Sequence, residues 1–193
     1  MQERIREHTT YRGIPTVRNP IDYWVFQEMI WKLKPDVIVE IGNRCGGGLM
    51  FFADLCDKLD HGRIIGVDIR HRKLHHRVNS GRITVVTGRA VEVYNQVKAM
   101  INDDERVMVF EDSSHTFDNT LSVLVLYSRL LKVGDYIVVE DGICGNGLDG
   151  PEPGPYEAIE AFMSGNANFE IDRTLESFIV TWNPKGYIRR IRQ

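Results

Sequence analysis

The chain lacks the features that mark membrane-spanning, secreted and nucleic-acid-binding proteins. None of its apolar runs approaches the roughly 20 residues that a membrane helix needs. Its net charge of −3 leaves no excess of basic residues for nucleic acid or an anionic membrane surface. The first residues, MQERIRE, have no apolar core of the kind found in signal peptides. We therefore expect a cytoplasmic protein with no nucleic-acid partner and no membrane contact.

Cysteine and the common phosphate-binding motifs are scarce or missing. Cys45, Cys56 and Cys144 form an odd set without a C-x-x-C pair, which predicts free thiols in a reducing compartment. There is no G-K-[ST] sequence, and the glycines at 42–48 are not spaced as G-x-G-x-x-G, so a phosphate-binding loop is disfavoured at that turn.

What the chain does contain is a strand, a glycine-rich turn and a helix over residues 37–59. A short apolar run ends in Glu40, and Gly42 and three consecutive glycines at 46–48 follow before a helical apolar pattern. This layout is typical of nucleotide-binding α/β units. A carboxylate at the end of the strand would repel a pyrophosphate but suits a ligand with a cationic end. The alternative is an ordinary glycine-rich turn.

Strand and helix patterns alternate through the rest of the chain. Strands are predicted at 37–41, 63–68, 83–87, 107–110, 136–140, 169–171 and 177–182, and helices at 22–33, 49–59, 88–101, 117–131 and 156–163. The alternation predicts an α/β, Rossmann-like class I methyltransferase fold, with a mostly parallel seven-stranded sheet that ends in a C-terminal antiparallel hairpin. Residues 1–34 are expected to be an N-terminal segment and helix that pack on the domain of residues 35–193. The aromatic content of helix 22–33 favours a homo-oligomer.

Two regions outside the regular elements have functional interpretations. Asp68 ends the second strand about 20 residues after the glycine turn, where a carboxylate can bind the hydroxyls of a ribose. The basic run at 70–77 is interpreted as a solvated loop or helix, with a contact to phosphate or an acidic substrate as the alternative. The glycine- and proline-rich segment 142–155 is a candidate lid or binding loop.

Three acids and a histidine lie at the ends of two predicted central strands. Asp112 and His115 follow strand 107–110, and Glu140 and Asp141 end strand 136–140. Loops at the carboxyl ends of adjacent parallel strands meet in one crevice, where oxygen ligands would suit Mg²⁺ and a neutral imidazole could act as a general base. Alternatively, Asp112 caps a helix, His115 is a first-turn residue and Glu140–Asp141 is a polar turn.

Several stretches together resemble the cephalosporin hydroxylase family, whose members include metal-dependent sugar and macrolide O-methyltransferases. The matching stretches are PDVIVEIG at 35–42, GVDI at 66–69, D-x-x-H at 112–115, GDYIVVED at 134–141, GPYEA at 154–158 and F-x-x-TWNP-x-GY at 178–187. They span nearly the whole chain.

The resemblance implies a site for S-adenosylmethionine (SAM) and Mg²⁺, with His115 as the catalytic base. The metal ligands that it implies are Asp112, Glu140 and Asp141. The SAM-binding residues assigned with it are Glu40, Gly42, Asn43, Gly47, Asp68, Ile69, Gly88 and Asp112.

The expected function is therefore SAM-dependent, Mg²⁺-assisted O-methylation of a small-molecule hydroxyl, on a sugar or a glycosylated metabolite. Two alternatives stay open: metal-dependent methylation of a catechol-like phenol, and a non-catalytic SAM-binding accessory subunit. The acid–histidine set argues against the second alternative.

Overall fold

A computed structural model of the chain describes residues 2–193, and its centre is a seven-stranded sheet of order β5-β4-β3-β6-β7-β9-β8. The strands are β1 Thr10–Tyr11, β2 Ile14–Pro15, β3 Val37–Ile41, β4 Arg63–Asp68, β5 Ile83–Thr87, β6 Val107–Glu111, β7 Tyr136–Val139, β8 Phe169–Ile171 and β9 Tyr187–Arg190. The helices are α1 Gln2–His8, α2 Pro20–Leu33, α3 Gly47–Leu59, α4 Ala90–Ala99, α5 Phe117–Tyr127 and α6 Pro155–Ser164, with 3₁₀ turns at Ser128–Leu130 and Arg173–Leu175.

The sheet has the predicted mixture of strand directions. Strands β5, β4, β3, β6 and β7 are parallel neighbours, while β9 is antiparallel to both β7 and β8. The predicted α/β class with a C-terminal antiparallel hairpin is confirmed. Parallel strands need covered faces, which the helices between them supply.

The side chains of each strand alternate between the two faces of the sheet, and each face has its own hydrophobic core. Val37 and Val39 pack on one face with α4, α5 and α6, whereas Ile38 packs on the other with α2 and α3. Since side chains alternate along a strand, Glu40 shares the α2–α3 face with Ile38. The same parity places Glu140 on the face of Val138.

The predicted strand at 177–182 is wrong. The second strand of the hairpin is β9, and residues 177–182 form an irregular segment. Its apolar residues do not share one environment, because Trp182 is buried while Ile179 is fully exposed. The carboxylate of Asp22 fixes the segment by accepting bonds from Thr181 Oγ1 at 2.6 Å and Trp182 N at 2.9 Å. These groups are thereby bonded to α2.

The N-terminal residues contain more structure than their polar, turn-like sequence predicts. Helix α1 and the β1–β2 hairpin lead to Asn19, whose side chain accepts a bond from Ile21 N and caps α2. Helix α2 buries Phe26 and Ile30 against the sheet and leaves Trp24 and Trp31 exposed. The division of the chain at residue 34 stays a prediction. Among residues 2–193, the length and apolar character that a bilayer span requires occur in none of the helices.

Candidate active site

The carboxyl ends of β3, β6 and β7 bring three acids to one face of the sheet. Glu40 lies beside Phe110 in the β3–β6 register, and Phe110 lies beside Val138 in the β6–β7 register. Asp112 and Glu140 are each two residues beyond these positions. All three side chains therefore project toward the α2–α3 face.

A buried arginine that sequence analysis missed joins these acids. Arg18 Nε donates to Asp112 Oδ2 at 2.9 Å and lies 2.9 Å from Glu140 Oε2. Its Nη1 lies 2.7 Å from Glu40 Oε1, as an ion pair without hydrogen-bond geometry. The Arg18 side chain is 4% exposed, so solvent screens these contacts little.

The close approach of Arg18 to Glu40 explains one of the three consecutive glycines. A Cβ on Gly48 would lie 1.9 Å from Glu40 Oε1 and 2.3 Å from Arg18 Nη1. Tyr23 and Phe52 flank the guanidinium, with ring centres 5.8 and 5.6 Å from its carbon, at distances that suit cation–π contact. Gly48 thus makes room for an internal ion pair, in addition to lining the cavity described below.

The cluster carries more negative charge than Arg18 neutralises. Burial, and then the neighbouring carboxylates, raise the pKa of Glu140 well above its ordinary value. Burial and the charge of Asp112 raise the pKa of Asp141 to about 7, and burial raises that of Glu40 to about 7 as well. Among the described residues, Glu140 Oε1 is buried without a hydrogen-bond partner. An unpartnered buried oxygen among hard carboxylate donors fits a divalent cation such as Mg²⁺.

His115 is held between two of the predicted metal ligands. Its backbone is left-handed, with φ 53°, and its Nε2 lies 3.2 Å from Asp112 Oδ1 and 3.5 Å from Asp141 Oδ2. Burial alone would lower the pKa of His115. The bonds to Asp112 and Cys144 and the charges of Asp112 and Asp141 outweigh that effect and raise the pKa to about 11. In this state the ring is therefore an imidazolium.

The position of Asp141 is fixed by its backbone conformation and by a hydrogen bond from its N–H group. Asp141 is left-handed, with φ 56°, and its N–H donates to Asn183 Oδ1 at 3.0 Å. The buried Asn183 side chain thus sets the direction in which the chain leaves β7. The predicted metal ligands are brought together in two pairs, Asp112 with Glu140 on Arg18 and Asp112 with Asp141 on His115. Their role as metal ligands stays a prediction.

Asp68 organises the loop after β3. Its Oδ2 accepts bonds from the N–H groups of Asn43 and Arg44, both at 2.9 Å. The buried Asn43 side chain in turn donates to Glu40 Oε2 at 3.2 Å and lies 3.1 Å from His71 Nε2. One member of the basic run therefore belongs to this network, which the pattern of charges alone did not predict.

The predicted SAM-binding residues line two adjoining cavities. The first, of about 260 Å³, is lined by seven of them: Glu40, Gly42, Asn43, Gly47, Asp68, Ile69 and Asp112. The second, of about 290 Å³, is lined by four, which are Gly42, Asp68, Ile69 and Gly88. Because Gly42, Asp68 and Ile69 border both, an extended ligand could occupy the two cavities across Asp68. His115 and Asp141 also line the first cavity.

This sheet, with its crevice at the strand ends, has the architecture of class I SAM-dependent methyltransferases. A solved structure of CmcI with Mg and SAM covers 95% of this chain and 76% of its own, with a TM-score of 0.75 and 21% identity. An apo structure of CmcI gives a TM-score of 0.74 over 96% of this chain and 77% of its own, at 23% identity. These likenesses establish the fold.

The sequence relatives identify the family. The profile of the rhamnosyl O-methyltransferase/CmcI family matches residues 3–191. A rhamnosyl O-methyltransferase of Mycobacterium bovis is 32% identical over 191 residues, covering 94% of this chain and 78% of its own. A rhamnosyl O-methyltransferase of Mycobacterium leprae is 29% identical over 94% of this chain and 83% of its own. The chain belongs to the rhamnosyl O-methyltransferase/CmcI family and is a SAM-dependent O-methyltransferase.

Proposed function

We propose that the chain transfers the methyl group of SAM to a hydroxyl of a sugar or a glycosylated small molecule, with Mg²⁺ held by Asp112, Glu140 and Asp141. The observation that carries the proposal is the joining of these acids to His115 and Arg18 beside the first cavity. The names of the relatives, which are rhamnosyl O-methyltransferases, support a sugar as the acceptor.

The cofactor is proposed to span the two cavities. Asp68 would bind the ribose hydroxyls while its Oδ2 keeps the loop at Asn43 in place. Glu40 would face the cationic methionine end. Arg18 Nη2 is buried and has no hydrogen-bond partner among the described residues, so it has a free donor for a carboxylate.

Histidine and arginine have separate roles in this proposal. His115 would accept the proton of the attacking hydroxyl, which requires a neutral ring. Asp112 and Asp141 hold the ring proton in the ligand-free chain. A divalent ion that offset their negative charge would bring the His115 pKa back toward its ordinary value. Arg18 holds one oxygen of Asp112 and one of Glu140, which leaves Glu140 Oε1 free. Mg²⁺, when bound, would supply Lewis acidity that lowers the pKa of a sugar hydroxyl.

The test measures transfer of labelled methyl groups from SAM to rhamnosides, other glycosides and catechols. We expect transfer to sugars that is lost with a chelator and restored by Mg²⁺. His115→Ala should keep metal and SAM binding but lose about 10²–10⁴-fold in turnover, the usual value of a positioned base. Asp112→Ala should lose both activity and metal binding.

Asp118→Ala is the matched control, because it removes an exposed acid six residues from Asp112. It should have unchanged activity. Transfer to catechols alone would replace the sugar by a phenol, and SAM binding without transfer to any acceptor would favour an accessory subunit. Full activity after exhaustive chelation would contradict the metal assignment.

A further inference from the structure

A set of nitrogen, oxygen and sulfur ligands lies at the edge of the first cavity. Within residues 2–193, a ring nitrogen of His115, a carboxylate oxygen of Asp141 and Sγ of Cys144 all lie within 4.8 Å of one another. Cys144 is 2% exposed, whereas His115 and Asp141 line the cavity. The thiol therefore forms the closed side of the set, and the other two ligands face the open side.

The backbone fixes these ligands relative to one another. His115 and Asp141 both have left-handed backbone conformations, which restrict the directions of their side chains. The N–H of Cys144 donates to the carbonyl of Asp141 at 2.9 Å, so these two residues belong to one tight turn. The position of the thiol beside the carboxylate is thus built into the turn that follows β7.

The set has the chemistry of a zinc site and not of a magnesium site. Zn²⁺ binds imidazole, carboxylate and thiolate at about 2.0–2.3 Å, which places tetrahedral ligands about 3.5 Å apart. His115 Nε2 and Asp141 Oδ2 are already 3.5 Å apart, and the three ligand atoms lie within 4.8 Å of one another, so only a small contraction toward the thiol is needed. Mg²⁺ prefers oxygen and does not select thiolate.

We infer that His115, Asp141 and Cys144 form a binding site for a thiophilic divalent ion of the Zn²⁺ class, with a fourth position open to the cavity. Three protein ligands and one open position are the composition of an accessible zinc site. Such an ion takes the ring nitrogen and the carboxylate that the proposed reaction uses. Bound Zn²⁺ therefore inhibits methyl transfer, and this consequence rests on the proposed function while the binding site does not.

The binding test uses Co²⁺ alone and then Zn²⁺ alone on the purified chain. Co²⁺ should produce a cobalt–thiolate charge-transfer band at one equivalent, and one equivalent of Zn²⁺ should abolish it. The chain has three cysteines, so the double variant Cys45→Ala/Cys56→Ala leaves Cys144 as its one thiol. This variant should keep the band, and Cys144→Ala should lose it.

The absence of a thiolate band in the wild-type chain overturns the site, as does a band that disappears from the double variant or persists in Cys144→Ala. The wild-type and double-variant spectra decide the matter even if Cys144→Ala does not fold. In the activity test, Zn²⁺ should inhibit Mg²⁺-supported transfer. With each protein compared with its own rate in the absence of Zn²⁺, Cys144→Ala should need at least about tenfold more Zn²⁺ for half-inhibition than the wild type, a typical cost of disturbing a metal site.

The two tests separate failure of the site from failure of the proposed function. A cobalt–thiolate band in a chain that transfers no methyl group keeps the zinc site and rejects the methyl-transfer proposal. Methyl transfer that is equally sensitive to Zn²⁺ in the wild type and Cys144→Ala rejects inhibition through this site.

Discussion

Removal of the positive charge of Arg18 should destabilise the folded chain more than loss of any exposed ion pair. Arg18→Met keeps an unbranched apolar stem between Tyr23 and Phe52 but removes the cation that faces Glu40, Asp112 and Glu140. The three carboxylates then remain in a buried cluster without their common partner.

The expected loss follows from the burial of the pair. Removing one partner of a buried ion pair costs about 3–5 kcal/mol, because it leaves an uncompensated charge out of water. For a chain of this size, each kcal/mol lowers the melting temperature by roughly 2–4 °C, which gives a decrease of roughly 6–20 °C. The stability of Arg18→Lys should lie between those of the wild type and Arg18→Met, since an ammonium keeps the charge but lacks the planar, forked geometry of a guanidinium.

The loss should depend on pH in a defined direction. The folded-state pKa of Glu40 is raised from 4.5 to about 7, so this group takes up a proton on folding and stability decreases as pH rises from about 4.5 to 7. Without Arg18 the acids become harder to ionise. The difference between wild type and Arg18→Met should therefore be larger at pH 8 than at pH 5.

Urea unfolding at the two pH values measures the effect. Arg12→Met is the matched control, because Arg12 pairs with Asp54 at 2.8 Å but is 59% exposed and should contribute at most about 1 kcal/mol. Addition of Mg²⁺ should stabilise Arg18→Met more than wild type if the cation binds among the same carboxylates. A variant within about 1 kcal/mol of wild type at pH 8 would refute this account of the cluster.

Three further predictions concern other parts of the chain. Asp22→Ala leaves the buried Trp182 N–H without its acceptor and should cost about 1–3 kcal/mol in urea unfolding, whereas an unchanged midpoint would show that residues 177–182 do not depend on Asp22. Asp68→Ala should weaken SAM binding by at least about 1.5 kcal/mol in calorimetry, and unchanged affinity would reject its place on the ribose. The pKa of Glu105 is lowered to about 2, chiefly by bonds from Arg63, so its stabilisation is present above about pH 4.5 and is lost as pH falls toward 2. Glu105→Gln should lack this acid-dependent loss, which solvent screening limits to about 1 kcal/mol, and identical acid unfolding curves would contradict it.

The parts of the fold that local pattern determines were predictable from the sequence. The bounds predicted for the strands at 37–41, 63–68 and 83–87 are those of β3, β4 and β5, because each is a short apolar run between turn residues. The C-terminal hairpin was harder. Strand β9 reads Tyr-Ile-Arg-Arg, with few apolar residues, whereas residues 177–182 are rich in apolar and aromatic residues but are fixed by Asp22, which lies 159 residues before Thr181. A contact of that sequence separation leaves no local pattern.

The acids and the histidine of the site were predictable because each lies in the last residues of a central strand or within four residues after it. Arg18 was not, because its partners Asp112 and Glu140 are 94 and 122 residues away in sequence and it precedes α2 in an irregular segment. A signal was nevertheless present. Glu40 lies two residues after Ile38 and Glu140 two residues after Val138, so both acids point to the same face of the sheet. Two buried acids on one face require a cation. The sequence prediction assigned Glu40 to the cationic end of SAM and Glu140 to Mg²⁺, and gave neither acid a partner within the chain.

The acids of the cluster carry enough negative charge for a divalent ion in addition to Arg18. Glu40, Asp112, Glu140 and Asp141 supply four negative charges when ionised, and Arg18 offsets one. Protonated His115 offsets a second, which accounts for its raised pKa in the ligand-free state. A base must give up that proton, and three negative charges then remain when all four acids are ionised, which their raised pKa values oppose until a cation is bound. A divalent ion and the sulfonium of SAM together carry three positive charges, so the loaded site would be neutral with His115 unprotonated. In the proposed function Arg18 would therefore not replace the metal, because the ionised acids would still need the charge of Mg²⁺ and SAM together.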